Sequence, residues 1–348
     1  MRLNIKTFGY LGDKEVKQFI LSNDNGIVVK IINYGGIITS IEMPDANGNP
    51  DNIVCGFDDL ETYLSREYLG NYPYFGAIIG RNANRIKDGD LVIEEKKYQL
   101  AKNNGEHHLH GGNTGFDKRL WEFKVIENDD EKGVELSYFS PHLEENYPGN
   151  LNVTCIYTLN NNNELKIEFK AKTDKTTIVN LTNHTYFNLT GGKEDITNHE
   201  LKINASQITE TDENHIPTGR FLSIKDTLYD FSNFKSLKEG IKYLPEGYDN
   251  NFVIEGTKGR FKYAGTLREN KSKRQVEVFT DQPGLQVYTG YWIPELIKKY
   301  GPYSGIALET QHFPDAIHHK DFPSTILRPD EEYLTKTVFK FSDYSKLN

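Results

Sequence analysis

Residues 151–171 read LNVTCIYTLNNNNELKIEFKA, and this stretch indicates the fold of the chain. Leu151–Leu159 alternates between apolar and polar residues, which is typical of a strand with one buried face. The four asparagines Asn160–Asn163 follow, and asparagine suits the positive φ angles of a hairpin turn. A second strand-like run covers Leu165–Ala171. The stretch therefore predicts an antiparallel hairpin.

Short strand-like runs recur along the whole chain, separated by Gly, Asn, Asp and Pro. Besides the two runs above, they are Gly26–Ile32, Ile37–Glu42, Val134–Phe139, Thr176–Leu181, Val276–Phe279, Gly284–Tyr288 and Gly305–Glu309. Short runs at such regular spacing predict an all-β fold, a large antiparallel β-sandwich. Helical signals are few, and Asp58–Leu64, which starts with a capping aspartate, predicts one short helix.

Composition and charge limit the classes of function. The 348 residues contain no repeat, linker or break in composition, so we predict a single domain over residues 1–348. The net charge of −9 without a basic cluster argues against nucleic-acid binding. No run approaches the ~20 apolar residues of a membrane span or the core of a signal peptide, which predicts a cytoplasmic protein. Cys55 and Cys155 are expected to be buried thiols, with a disulfide as the alternative.

Two ionisable residues lie in strand-like runs where burial would be costly. Glu309 follows the apolar run Ile306–Leu308, and a glutamate there needs partners or a chemical role. A salt-bridged glutamate at a strand end is the alternative interpretation. His184 lies between Asn183 and Thr185 in another strand-like run, where a lone histidine is usually structural. On neighbouring strands, the two would form an acid/base pair that works near neutral pH.

Two polar segments next to glycines suggest ligand contacts. In His107–Gly112 the alternation of His108 and His110 invites a metal-site interpretation, but no close carboxylate or histidine completes a ligand set. In Gly80–Ile86, Asn84 and Arg85 supply donors that suit sugar hydroxyls, or else side chains that only hold a turn. The sequence has no nucleophile elbow, zinc-protease motif or dinucleotide fingerprint.

Seven segments along the chain form a recognisable series: Ile53–Leu64, Gly80–Ile86, Leu109–Gly112, Asn183–Leu189, Phe279–Gly284, Leu308–Ala316 and Phe322–Pro329. In this order they resemble the galactose mutarotase (aldose 1-epimerase) family. Any one of them is a weak signal, but together they cover nearly the whole chain. The resemblance implies a large twisted β-sandwich, often called a supersandwich, which agrees with the strand pattern.

The resemblance also implies general acid/base chemistry on a sugar ring. Glu309 matches the glutamate that acts as base on the C1 hydroxyl, and His184 matches the histidine that protonates the ring oxygen. His110 matches a second site histidine that assists at the sugar. The implied reaction interconverts the α and β anomers of free hexoses such as D-galactose and D-glucose. It requires no cofactor and no metal.

Four more residues match the sugar-binding positions of the family. Asn84 and Arg85 match the pair that holds hydroxyls and stabilises the opening sugar. Asp249 matches the aspartate that grips a sugar hydroxyl, and Gln282 lies in the motif that flanks the site. The implied partner is therefore a small-molecule sugar. For the oligomeric state, both a monomer and a homodimer stay open.

Three positions depart from the family pattern. Asn250 stands where a histidine is common, which could alter the hydroxyl preference. His107 replaces a common asparagine, and Ile317–His319 replaces the usual Pro-Asn; both are predicted at the rim of the site. None of the three touches the expected acid/base pair.

Three other functions are alternatives to this interpretation of the chain as an enzyme that interconverts hexose anomers. A non-catalytic sugar-binding relative would lack the base or the acid. An enzyme for hexose 6-phosphates would need extra cationic residues near the cleft, for which Arg81 is the available candidate. A carbohydrate hydrolase or lyase would use two carboxylates, such as Asp249 and Glu309, on either side of the scissile bond.

Overall fold

The prediction of an all-β fold built from antiparallel sheets is confirmed by a computed structural model that describes residues 1–296 and 298–346. All strand pairs within the three large sheets run antiparallel. A five-stranded sheet comes from the N-terminal part of the chain. In spatial order its strands are Arg2–Leu11, Lys14–Ser22, Val28–Ile32, Ile38–Pro44 and Pro50–Asn52.

A nine-stranded sheet contains the hairpin that the sequence predicts. Its strands, in spatial order, are Glu122–Glu127, Glu131–Ser140, Leu151–Asn160, Glu164–Thr173, Tyr333–Asp343, Arg274–Thr280, Lys262–Arg268, Glu200–Ile203 and Lys235–Ser236. Leu159 pairs with Leu165 across the turn. Asn163 has a φ of 60°, so the left-handed conformation expected of an asparagine turn is present. The hairpin prediction is confirmed.

Two of the ionisable residues singled out above, Asp249 and Glu309, lie in a six-stranded sheet. Its strands, in spatial order, are Tyr186–Phe187, Ile306–Gln311, Gly284–Tyr288, Asp249–Ile254, Ala205–Thr211 and Pro217–Ser223. Alternation along Ile306–Gln311 separates two environments, because Leu308 packs into the main core whereas Ala307 joins a second cluster with Tyr186. Glu309 therefore shares the face of Ala307, as the sequence predicts.

Smaller elements connect the sheets. Short antiparallel pairs join Arg85–Ile86 to His108–Leu109, Ile78–Ile79 to Thr182–Asn183, Thr177–Ile178 to Ile326–Leu327, and Asp90–Ile93 to Lys96–Gln99. The α-helices among the described residues are Leu60–Leu64, Arg66–Gly70 and Lys238–Tyr243, and the 3₁₀ turns are Lys87–Gly89, Phe116–Lys118, Glu144–Asn146, Ile196–Asn198, Ala316–His318 and Tyr344–Lys346. None of the helices in residues 1–296 and 298–346 combines the length and the apolar character needed to cross a bilayer.

The predicted short helix is present, with Asp59 as its N-cap. The Asp59 carboxylate accepts a hydrogen bond from the backbone N–H of Thr62 at 2.7 Å. The helix covers Leu60–Leu64, and its apolar side buries Leu60 and Tyr63. Tyr63 then holds the adjacent chain, because its hydroxyl accepts from the backbone N–H of Phe57 at 3.1 Å.

One hydrophobic cluster joins the three sheets and holds them in one packing arrangement. It includes Phe19 from the five-stranded sheet, Tyr157 from the nine-stranded sheet and Leu308 from the six-stranded sheet. Cys155 lies in this core and Cys55 in the second cluster, and both are free thiols. Burial raises the pKa of the Cys55 thiol to about 12, so it stays protonated and unreactive.

The strand predicted over Thr176–Leu181 is shorter in the structure. Only Thr177–Ile178 is a strand, and the chain then continues as Thr182–Asn183 and Tyr186–Phe187 with a break between them. His184 lies in this break rather than in a strand. Its backbone N–H donates to Ala77 O at 2.9 Å, and its own carbonyl accepts from Gly76 N–H at 3.0 Å. Because His184 pairs with the segment at Gly76 and Ala77, which is not a strand, the strand is interrupted here.

We expect the free energy of unfolding to fall steeply as the pH drops from 6.5 towards 4. Burial lowers the pKa of His108, His184 and His199 to about 4, whereas unfolded histidine titrates near 6.5. Between these values the unfolded chain binds protons that the folded chain does not, so stability falls with the pH. Three such groups together cost roughly 10 kcal/mol at most, comparable to the whole stability of a typical domain.

Urea unfolding at a series of pH values measures this loss. His199 offers a control, because its Nε2 accepts a hydrogen bond from Leu189 N–H at 2.8 Å. In the His199→Gln variant the amide oxygen can accept the same bond without titrating, so the slope against pH should be shallower. Equal slopes for both proteins would contradict the assignment of this loss to buried histidines.

Candidate active site

A cavity of about 910 Å³ opens at the edge of the six-stranded sheet. It collects six of the seven site residues that the sequence analysis names: Asn84, Arg85, His110, His184, Asp249 and Glu309. Two hundred and more residues separate the first of these from the last along the chain. Tertiary packing therefore brings them into one cleft.

Glu309 lies at the inner end of this cavity on the Ile306–Gln311 strand. Its side chain is 2% exposed, and its Oε2 atom is buried without a hydrogen-bond partner among the described residues. Gln286 lies directly across the strand pair from Glu309. A buried, unpaired carboxylate oxygen is costly unless a ligand supplies the missing donor. Oε2 is thus available to accept a proton or a hydrogen bond from a bound molecule.

His184 approaches Glu309 from a different part of the chain. Its Nε2 lies 3.5 Å from Glu309 Oε1, and its side chain is 4% exposed. The imidazole lies between two aromatic rings, Tyr74 at 5.9 Å and Tyr186 at 4.8 Å between centroids, both roughly parallel to it. These rings fix the plane of the imidazole. The predicted pairing of a histidine with a glutamate is therefore present.

Asn84 and His110 are held together by two hydrogen bonds. His110 Nδ1 accepts a hydrogen bond from the Asn84 backbone N–H at 3.1 Å, and the His110 N–H donates to Asn84 O at 3.2 Å. The next residue, Gly111, has a φ of 86°, and a Cβ there would lie 1.8 Å from the Gly80 carbonyl oxygen. Only glycine lets the two segments approach this closely.

Asp249 lies beside the acid/base pair, with Gln286 and Arg85 next to its carboxylate. Its Oδ1 accepts a hydrogen bond from Gln286 Nε2 at 2.6 Å. Its Oδ2 lies 3.7 Å from Arg85 Nη1, and Arg85 Nε donates to Asn104 Oδ1 at 3.2 Å. These contacts orient a carboxylate and a guanidinium side by side, an arrangement that suits vicinal hydroxyl groups of a polyol.

Gln282 does not line the cavity, in contrast to the other named residues. It is 2% exposed, and its Nε2 donates to the Tyr333 hydroxyl at 3.4 Å. The glutamine beside the site is Gln286, four residues further along the chain. A signal for it exists in the sequence, because Gln286 is a polar residue in the middle of the predicted strand Gly284–Tyr288. Gln282 was predicted in its place because it lies in the motif that flanks the site.

The protonation of the pair follows from its burial. Desolvation raises the pKa of Glu309 well above its usual value, and Asp249 raises it further while Arg85 opposes this. Desolvation also lowers the pKa of His184 to about 4. Both directions favour the neutral pair, a protonated Glu309 with a neutral His184. Movement of one proton between the two side chains gives the ionic pair.

His110, His184 and Glu309 also satisfy the spacing of a metal site, since ligand-type atoms of the three lie within 4.8 Å of one another. The hydrogen bonds argue against this use. Because His110 Nδ1 accepts a hydrogen bond from Asn84 N–H, Nε2 carries the hydrogen of the neutral ring. A metal-binding imidazole instead binds the metal through a nitrogen without hydrogen, and its other ring nitrogen donates a hydrogen bond to the protein. The donor set fits proton transfer better than metal binding.

The alternating pair His108 and His110 does not form a shared face. His110 has a φ of 51°, which turns the chain, while His108 lies in the core. His108 Nδ1 lies 2.8 Å from Ala101 O and its Nε2 2.6 Å from the Tyr147 hydroxyl. Both ring nitrogens of His108 are therefore occupied, and its role is structural.

Comparison with known proteins places this arrangement in a family. A family model described as aldose 1-epimerase matches residues 17–340. The chain belongs to the aldose 1-epimerase family. It is 43% identical to galactose mutarotase of Bos taurus, over 95% of this chain and 96% of that protein. It is 32% identical to aldose 1-epimerase of Escherichia coli strain K12, over 92% and 94% of the two chains.

A solved structure of the aldose 1-epimerase family has the same fold. The crystal structure of galactose 1-epimerase from Lactobacillus acidophilus superimposes with a TM-score of 0.86 at 29% identity. The match covers 98% of this chain and 99% of that one. The expected twisted sandwich fold is thus shared along the chain.

Among the departures from the aldose 1-epimerase pattern, only His107 lines the cavity. Asn250 follows Asp249 in an extended strand, so its side chain points to the opposite face, and it does not reach the cleft. Ile317–His319 lies outside the lining as well, which corrects its predicted place at the rim. His318 Nδ1 is 2.7 Å from Asp315 Oδ1, and the same oxygen accepts from Lys87 N–H at 2.9 Å.

Proposed function

We propose that this chain interconverts the α and β anomers of free hexoses such as D-galactose and D-glucose, with Glu309 as the base and His184 as the acid. The observation that carries the proposal is the buried pair of Glu309 and His184, 3.5 Å apart in a cavity of about 910 Å³, which is large enough for a hexose. The names of the relatives, galactose mutarotase and aldose 1-epimerase, support the same reaction and the same sugar. A binding protein without catalysis would not need both groups intact.

The proposed reaction moves two protons and breaks one bond. Glu309 takes the proton of the C1 hydroxyl while His184 gives a proton to the ring oxygen, so the C1–O5 bond breaks and C1 becomes an aldehyde carbon. The pair passes from ionic to neutral in this step, and burial favours the neutral pair, as the pKa directions of both groups indicate. Rotation about C1–C2 presents the other carbonyl face. Reversal of both transfers closes the opposite anomer.

The other residues bind and orient the sugar in this proposal. His110 has its Nε2–H free to donate to a sugar oxygen, because Nδ1 is occupied by Asn84 N–H. Arg85 and Asp249 hold hydroxyls, and Gln286 keeps the Asp249 carboxylate in place. Positioning of this kind supplies the part of the rate that proton transfer alone does not.

The charge of the cavity favours neutral sugars over phosphorylated ones. Among the described residues, its lining has two cationic side chains, Arg85 and Lys87, against these seven carboxylic acids: Asp88, Glu106, Asp212, Glu213, Glu246, Asp249 and Glu309. Arg81, the arginine considered for phosphate binding, is 2% exposed and donates to the carbonyls of Ser140, Pro141, Pro148 and Gly149. Its donors are used to hold that loop. Arg81 is therefore not available to bind the phosphate of a hexose 6-phosphate.

We expect the enzyme to accelerate the mutarotation of α-D-galactose and α-D-glucose, and to be at least about tenfold slower on D-galactose 6-phosphate in kcat/KM. Each phosphate charge meets several carboxylates at distances where water and salt screen only part of the repulsion. Optical rotation of freshly dissolved sugars measures the rates against the spontaneous reaction. No acceleration of either free hexose would refute the proposed function, and faster turnover of the phosphate would favour the alternative.

We also propose a cytoplasmic location. Cys55 and Cys155 are both free and buried, the state that is usual for thiols in a reducing compartment. A single domain over residues 1–348 and a monomeric or homodimeric state stay predictions from the sequence.

A further inference from the structure

A tight turn carries His215 to the rim of the cavity. The turn joins the strands Ala205–Thr211 and Pro217–Ser223 at the edge of the six-stranded sheet. The Asp212 carboxylate accepts from the backbone N–H groups of Asn214 and Ile216, at 2.9 and 3.0 Å, and so closes the turn. His215 has a φ of 60°, an uncommon conformation for a residue other than glycine. The turn thus directs the His215 side chain back over the sheet.

Two carboxylates face the His215 ring, one on each nitrogen. Nε2 lies 3.1 Å from Glu246 Oε2, so an Nε2–H can donate to Glu246 and fix the ring. Nδ1 then faces Asp249 Oδ2 at 3.9 Å. His215, Glu246 and Asp249 all line the cavity. Nothing in the acid/base chemistry described above uses His215 or Glu246.

The space around Asp249 Oδ2 is the second observation. Arg85 Nη1 at 3.7 Å and His215 Nδ1 at 3.9 Å both lie beyond hydrogen-bond distance of this oxygen, while Oδ1 is engaged by Gln286 at 2.6 Å. A hydroxyl group has one proton to give and lone pairs to accept with. A hydroxyl placed here can donate this proton to Asp249 Oδ2 while it accepts from Arg85, and an adjacent hydroxyl can donate to His215 Nδ1.

We propose that His215, oriented by Glu246, is a further sugar-binding residue whose Nδ1 accepts a hydrogen bond from the hydroxyl adjacent to the one that Asp249 and Arg85 hold. The inference rests on the proposed function and adds His215 to the residues that bind the hydroxyls of the substrate. Asn250, at the departure expected to change hydroxyl preference, points away from the cleft, so His215 replaces it as the candidate for that role in this chain. His215 acts on binding rather than on proton transfer.

The test compares a variant that keeps a polar atom near Nδ1 with one that removes both ring nitrogens. His215→Asn places an amide near Nδ1, and asparagine tolerates the left-handed backbone, so its KM for galactose should stay within about twofold of wild type. His215→Leu removes both nitrogens, and its KM should rise about three- to tenfold with kcat nearly unchanged, as for one lost hydrogen bond to substrate. Asn214→Ala in the same turn is the matched control and should behave as wild type.

A series of galactose analogues identifies the hydroxyl. Each analogue has one hydroxyl, at C2, C3, C4 or C6, replaced by hydrogen. One of them should bind wild type more weakly than galactose does, yet bind His215→Leu as well as galactose does. Equal losses for all analogues in both proteins, or a fall in kcat at constant KM, would overturn the inference.

Calorimetric Kd values for galactose keep the two proposals separate. A wild type that does not accelerate mutarotation refutes the proposed function, whereas an unchanged Kd in His215→Leu refutes the role of His215. A weaker Kd in His215→Leu, together with a normal Kd in Asn214→Ala, supports it. A lower melting temperature of His215→Leu with an unchanged Kd would assign His215 to the turn alone.

Discussion

Glu309→Gln should reduce kcat for the mutarotation of galactose about 10³-fold while KM changes little. Glutamine has the same shape and can still hydrogen-bond, but it cannot take the proton of the C1 hydroxyl. A positioned general base typically contributes about 10²–10⁴-fold, so the loss should fall in this range. Polarimetry with α-D-galactose, corrected for the spontaneous reaction, measures it. A variant that keeps more than a tenth of the wild-type rate would show that Glu309 is not the base.

The same variant should be as stable as the wild type or more stable. Burial of the Glu309 carboxyl is costly, as its raised pKa indicates, and the neutral amide avoids the cost of charging it. Thermal unfolding followed by circular dichroism checks this. A lost activity with a normal or higher Tm would assign the effect to chemistry, whereas a marked drop in Tm would point to a structural role of the glutamate.

His184→Gln should also lower kcat, by about 10²–10³-fold, because the amide cannot donate a proton to the ring oxygen as an acid. Glutamine places its amide near the position of Nε2, the nitrogen that lies 3.5 Å from Glu309. The double variant with Glu309→Gln should be almost as active as Glu309→Gln alone, since groups that act as a unit do not give additive losses. Full multiplication of the two effects would mean that the residues act in separate steps.

The pH dependence offers a second view of His184. Its pKa is lowered to about 4 by burial, so kcat/KM of the wild type should show no inflection near 6.5, the ordinary value for histidine. Rates measured between pH 5.5 and 8 test this, and circular dichroism at the same pH values shows whether loss of folded enzyme contributes at the acid end. An acid limb centred near 6.5 would contradict the assignment of a buried, neutral His184 in the resting enzyme.

The sequence was sufficient for the local elements and for the types of chemical groups in the site. Alternation in Leu151–Leu159, followed by asparagines, predicts a hairpin because both signals depend on neighbouring residues alone. Asp59 caps its helix for the same reason. Glu309 could be singled out because a charged residue after a buried apolar run is costly wherever the strand packs. The resemblance to a known family then assigned expected roles to these residues.

The tertiary structure decided which polar side chains meet. The sequence offers a signal for Gln286 but does not place it at the site, because only the pairing of Gly284–Tyr288 with Ile306–Gln311 puts Gln286 opposite Glu309. It left Arg81 available for a phosphate, whereas the fold uses its guanidinium to hold the carbonyls around residues 140–149.

The sequence by itself thus determined the strands, their turns and the kinds of residue that could act. The tertiary structure decided that Glu309 and His184 lie 3.5 Å apart and that His215 reaches Asp249 from another strand pair. The physical reason is that alternation and turn signals act between residues near one another in the chain. Contacts between distant segments depend on how whole sheets pack, and that packing is set by a core shared among many residues.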